Sequence, residues 1–113
     1  MPRYVFTREG ALGTLVLPLT SGGQPYPSTP GQPVALVLSG LDGRLAAVTV
    51  SDPTRIRWLD SNGSLAYTPA PGELVAAASP YRAYAALYNA TFTAWQPAPS
   101  DDYWLITVLK TFF

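Results

Sequence analysis

The chain has 113 residues, 48% of them hydrophobic, with no net charge and only 12% charged side chains, about half the usual ~25%. That is one domain (1–113) with a packed core, not a disordered segment. The lack of any basic run excludes an electrostatic nucleic-acid footprint, no stretch approaches the ~20 apolar residues of a membrane-spanning helix, and the lack of cysteine and histidine excludes disulfides, thiol catalysis, histidine triads and ordinary zinc sites.

Twelve prolines and nine glycines punctuate the chain, and short apolar runs alternate with turn residues. That pattern predicts an all-β sandwich or barrel. Met1-Pro2-Arg3-Tyr4 leads directly into the first predicted strand, residues 3–8, with Tyr4 and Phe6 on one face. With no apolar leader core ahead of it, the chain is expected to stay where it is made. Residues 14–20 follow as a strand with Leu15, Leu17 and Leu19 alternating, and Pro18 suits an edge or a bulge. Residues 21–33, rich in Pro, Gly and Ser, are expected to form an extended polyproline-like connection without regular strand or helix. Tyr26 sits between Pro25 and Pro27, a shape suited to recognition, and the segment is expected to contact another subunit.

Residues 34–39 and 45–51 read as a hairpin across Gly40-Leu41-Asp42-Gly43, and Asp52-Pro53 turns the chain again. The strongest signal is Asn62-Gly63, which predicts a two-residue type I′ turn within residues 55–69. That register sets Trp58 opposite Tyr67 and places Ile56, Trp58, Leu65 and Tyr67 on one apolar face, packed with Leu15, Leu17, Leu36 and Ile106. Residues 70–74 begin a connection that has the makings of one helical turn. Residues 79–89 are ambiguous: Ser79, Pro80 and the alanines favour helix. As a strand the same run turns Tyr81, Ala83, Ala85 and Leu87 one way and Arg82, Tyr84 and Tyr88 the other. Residues 95–102 read as a rigid loop. Residues 103–111 form a closing strand with Trp104, Ile106 and Val108 on one face, followed by Phe112 and Phe113.

Catalysis has little to work with. Asp101 and Asp102 are the only adjacent carboxylates, and neighbours on a strand point to opposite faces. Asp60, Asn62 and Ser64 lack the remaining ligand spacing of a calcium loop. No metal, no cofactor and no enzymatic activity are expected. Exposed aromatics suit protein contacts, and the candidate interface comprises Tyr26, Pro27, Tyr84, Tyr88, Trp95, Phe112 and Phe113. The alternative is a non-catalytic carbohydrate-binding module that uses exposed Trp and Tyr.

The second half resembles a known family. Gly63-Ser64-Leu65-Ala66-Tyr67-Thr68, then Glu73-Leu74, Ser79-Pro80-Tyr81-Arg82-Ala83-Tyr84, Trp95-Gln96-Pro97 and Ile106-Thr107-Val108 are similar to the immunoglobulin-like N-terminal domain of phage baseplate upper proteins. The likeness departs at Pro80, where the family carries Gly, and at Asn89-Ala90-Thr91-Phe92-Thr93, where it carries an Asp-Gly hairpin. The resemblance implies an immunoglobulin-like antiparallel β-sandwich of about seven strands and favours strand over helix at 79–89. It also implies a structural subunit of a phage virion: a tail, baseplate, tail-tip adaptor or capsid decoration protein. Its implied partners are other virion proteins and copies of itself, in an oligomer or lattice; the absence of a basic or polybasic run adds the expectation that neither nucleic acid nor membrane is bound. Its implied place is the virion, after synthesis in the host cytoplasm.

Overall fold

The computed structural model describes residues 3–10, 13–97 and 103–110. Eleven strands lie along them: β1 (Arg3–Arg8), β2 (Leu15–Pro18), β3 (Thr20–Ser21), β4 (Gln24–Pro25), β5 (Val34–Ser39), β6 (Val48–Val50), β7 (Ile56–Trp58), β8 (Ser64–Tyr67), β9 (Tyr81–Asn89), β10 (Ala94–Pro97) and β11 (Trp104–Leu109). One sheet runs β1-β11-β9-β5-β6, with β10 also on β9, and the facing sheet runs β2-β8-β7. With β2, β5, β6, β7, β8, β9 and β11 taken as B, C, C′, D, E, F and G, these are the G-F-C-C′ and B-E-D orders of an immunoglobulin-type sandwich. Strand β1 departs from the expected all-antiparallel arrangement. It runs parallel to β11, pairing Arg3 with Trp104 through Arg8 with Leu109.

Alternation builds the core. Leu17, Ile56, Trp58, Leu65 and Tyr67 from one sheet meet Leu36, Leu38, Ala83, Ala85, Trp104 and Ile106 from the other in a single buried cluster. Leu15, expected in the core, is half-buried at its margin. The Trp104 Nε1–H donates to the Pro18 carbonyl at 2.9 Å, a part-buried polar tie between the two sheets.

Of residues 79–89, Tyr81–Asn89 are strand. Tyr81, Ala83 and Ala85 are buried between sheets, and β9 is paired along both edges, to β5 on one side and to β11 and β10 on the other. Those pairings outweigh the few tenths of a kcal/mol per residue by which alanine favours helix. The Tyr81 hydroxyl accepts the Val75 N–H at 3.0 Å, the tie back to the upstream backbone that marks the E–F corner of immunoglobulin-type folds. The helical turn expected in the connection that begins at 70–74 is a 3-10 turn at Ala76–Ala78.

The central hairpin keeps its predicted faces but not its predicted register. Trp58 lies opposite Leu65, and Ile56 opposite Tyr67. The cause is Asp60, whose Oδ1 accepts the N–H groups of Asn62 at 2.8 Å and Ser64 at 3.3 Å. Leu59 N–H then closes on the Ser64 carbonyl at 2.8 Å, and of the turn pair only Gly63 has positive φ, at 80°. The pairing slides by two residues, and since side chains alternate with period two, no face changes.

The Pro-rich segment is drawn into the fold. Gly22 and Gly23 turn a small β3–β4 hairpin, so a regular strand, though short, does occur there. Tyr26 is buried and stacks on Trp58, with centroids 5.6 Å apart and planes at 16°. The buried Ser28 hydroxyl donates to the Asp60 carbonyl at 2.6 Å and accepts the Gly63 N–H at 2.9 Å, which pins the hairpin loop to this segment. Deleting residues 22–31 would therefore remove part of the core. Similarly, Trp95, Gln96 and Pro97 lie in β10 and not in a loop.

Candidate functional site

Four exposed aromatic residues, Tyr4, Phe6, Tyr84 and Tyr88, lie on the outer face of the six-stranded sheet. Along β9, the side chains opposite the core are Arg82, Tyr84, Ala86 and Tyr88. Cross-strand neighbours extend this row: Leu105 beside Arg82, Val37 beside Tyr84, Ala35 beside Ala86 and Trp95 beside Tyr88. At the far edge Tyr4 lies beside Leu105 and Phe6 beside Thr107. Ala35, Val37 and Ala86 form a second buried cluster with Trp95 packed against it. Tyr88 meets Trp95 edge to face, with centroids 5.4 Å apart and planes at 69°.

Three of the predicted interface residues therefore come together: Tyr84, Tyr88 and Trp95. Tyr88 is 47% exposed and Tyr84 36%. Tyr26 does not join them. Its ring is committed to Trp58 inside the domain, so its assignment to the interface is corrected. Pro27 is exposed but sits on the loop beside the other sheet. Phe112 and Phe113, like Asp101 and Asp102, lie outside the described residues.

Sequence reading placed Tyr4 and Phe6 on one face of their strand without giving them a role. They are the most exposed aromatics on this face, at 67% and 66%. Charge is sparse here. The Arg82 guanidinium pairs with Asp42 at 3.1 Å and lies over the Tyr103 ring, 4.9 Å from its centroid. Asp42 comes into reach because the tight turn Gly40–Gly43 gives Leu41 and Asp42 positive φ.

Little else suggests chemistry. Among the described residues, no three acidic, His or Cys side chains gather as metal ligands, and no helix is long and apolar enough to cross a membrane. The Asp60 carboxylate is engaged by its own turn, and the Asn62 N–H holds its pKa below the ordinary carboxylate value. A cleft of about 220 Å³ opens beside Trp95, lined by Gln32, Pro33, Val34, Pro53, Ile56 and Arg57. It is smaller than the roughly 300–1,000 Å³ of small-molecule sites.

One ionisable cluster is largely buried, and its role is structural. Glu73 accepts bonds from the Tyr67 hydroxyl and the Arg55 guanidinium, and Arg55 Nε donates to the Thr68 carbonyl at 3.2 Å. Burial, then the bond to Glu73, raises the Tyr67 phenol far above its ordinary value. The folded state therefore keeps this proton when the unfolded state loses it, near pH 10. The stabilisation is complete below that pH and declines as pH rises through the folded pKa, by up to ~1.4 kcal/mol per pH unit. Urea midpoints measured from pH 8 to 11 should fall more steeply for the wild type than for Tyr67→Phe; parallel curves would refute the assignment.

No protein-family model matches the chain, and a search of curated proteins finds no match.

Proposed function

We propose that this chain is a non-catalytic interaction module, a structural subunit of a phage virion that docks other virion proteins on the outer face of its six-stranded sheet. The observation that carries the reading is the row of exposed rings on that face: Tyr4, Phe6, Tyr84 and Tyr88. Rigid aromatics on a sheet offer contact area at a small loss of side-chain entropy. The resemblance to baseplate upper proteins supports a place in the tail, baseplate or capsid surface. The carbohydrate alternative draws less support, because Tyr88 and Trp95 meet at 69° and do not form the coplanar platform on which a sugar ring stacks.

Purified particles from the source lysate test this directly. The chain should co-sediment with the particle, and electron cryomicroscopy should find its outer face covered by a neighbour. A Tyr84→Ser/Tyr88→Ser variant should fold with nearly unchanged melting, as exposed substitutions usually do, yet fail to enter the particle. Particles without the chain, or normal incorporation of the variant, would overturn the proposal.

A further inference from the structure

Strand β1 ends its sheet, and its backbone bonds reveal which groups are left over. Arg3 N–H donates to the Tyr103 carbonyl and Glu9 N–H to the Leu109 carbonyl, each at 2.8 Å. In the parallel ladder this parity turns Arg3, Val5, Thr7 and Glu9 toward β11. The N–H and C=O groups of Tyr4, Phe6 and Arg8 point away from the sheet, and no strand among the described residues pairs with them. Exposed edges are normally blunted by proline, a bulge, a very short strand or charged side chains. Arg3–Arg8 has no proline or bulge, its ladder is uninterrupted, and its charges, Arg3 and Arg8, stand only at its two ends.

We propose that β1 pairs antiparallel with β1 of a second copy, on a two-fold axis through Phe6. Only even-numbered residues present free groups, so only registers that match even with even can bond. Setting Tyr4 against Arg8 and Phe6 against Phe6 joins all the outward groups. Sliding the copies toward the N-terminus brings in Pro2, which has no N–H. Sliding them the other way brings in Gly10, which has left the strand at φ 84°. The favoured register also places side chains that suit each other: Arg8 lies across from the Tyr4 ring, a cation beside an aromatic face. The odd register that would set Arg3 against Arg8 is the one the backbone cannot bond. A second copy is therefore the occupant whose sequence complements this edge, and the pairing makes one continuous sheet with both aromatic faces on the same side. The inference stands on the edge alone. A monomeric result removes it and leaves the outer-face proposal intact.

The chain has no cysteine, so a single introduced thiol can bridge only to another copy. Directly bonded antiparallel partners have Cα atoms about 5.5 Å apart, within the ~4.4–6.8 Å of disulfides. Phe6→Cys is expected to form a covalent dimer rapidly under mild oxidation. Tyr4→Cys alone should not, whereas Tyr4→Cys mixed with Arg8→Cys should. Sedimentation of the wild type should show a concentration-dependent dimer. Phe6→Lys and Phe6→Glu should each be folded and monomeric, with melting independent of concentration, and mixing the two should restore the dimer. A wild type that stays monomeric at all concentrations, or Tyr4→Cys cross-linking as fast as Phe6→Cys, would overturn the pairing.

Discussion

Replacing Gly63 with alanine is expected to destabilise the domain by about 2–5 kcal/mol. Positive φ, here 80°, costs an L-residue about 1–2 kcal/mol, and overpacking adds about 1–3. The added Cβ would lie 2.5 Å from the Leu19 carbonyl oxygen and 3.0 Å from the Tyr26 nitrogen. Neither can withdraw cheaply: the Leu19 carbonyl accepts the Tyr26 N–H at 3.0 Å, and Leu19 N–H donates to Gly63 itself at 2.9 Å. Gly72 supplies the control. Its φ is 77°, but a Cβ there meets nothing within 4 Å, so Gly72→Ala should cost only the conformational ~1–2 kcal/mol. Thermal melting of both variants separates the two contributions. Equal losses would mean that the close approach at Gly63 does not exist.

Trp58→Ala is expected to cost about 3–5 kcal/mol, the range for truncating a buried aromatic. That is a large share of the ~5–15 kcal/mol by which ordinary domains are stable. Trp58 is 3% exposed and carries the stack with Tyr26, so truncation also loosens the Pro-rich segment that pins the hairpin loop. Its Nε1 is buried without an acceptor among the described residues, and an unsatisfied buried donor costs roughly 1–3 kcal/mol. Trp58→Phe keeps a ring against Tyr26 and removes that donor, so its loss should stay below about 2 kcal/mol. Denaturant unfolding of the pair checks both statements. A phenylalanine variant as unstable as the alanine one would show that the indole nitrogen is satisfied after all.

Features that depend on alternation were legible in the sequence. The apolar face of Ile56, Trp58, Leu65 and Tyr67 follows from period two alone, and it survived the register shift because that shift was also two. The register itself was misread. An Asn-Gly pair signals a two-residue turn only when no neighbouring side chain offers the backbone a better partner, and Asp60 offers one. Strand β9 was legible only through the family resemblance, since its alanines favour helix locally and its pairing partners lie far away in sequence. Tyr26 was misassigned for a related reason. Flanking prolines describe the backbone near it, but its stack on Trp58 is a long-range contact that local pattern does not encode. Of the outer face, Tyr84 and Tyr88 could be read by alternation. The part played by Tyr4 and Phe6 required knowing that β1 joins β11, at the opposite end of the chain.

That parallel union of β1 with β11 also decides how the domain bears load. Arg3 lies beside Trp104 and Arg8 beside Leu109, so the chain enters β1 at one end of the sheet and leaves β11 at the other. Tension applied through the segments before Arg3 and after Leu109 pulls the two strands past each other lengthwise. In that shear geometry the ladder bonds must fail together, whereas an antiparallel terminal hairpin would peel open one bond at a time. The interior is held behind this clasp, and the sandwich resists stretching along the sheet more strongly than its modest size suggests.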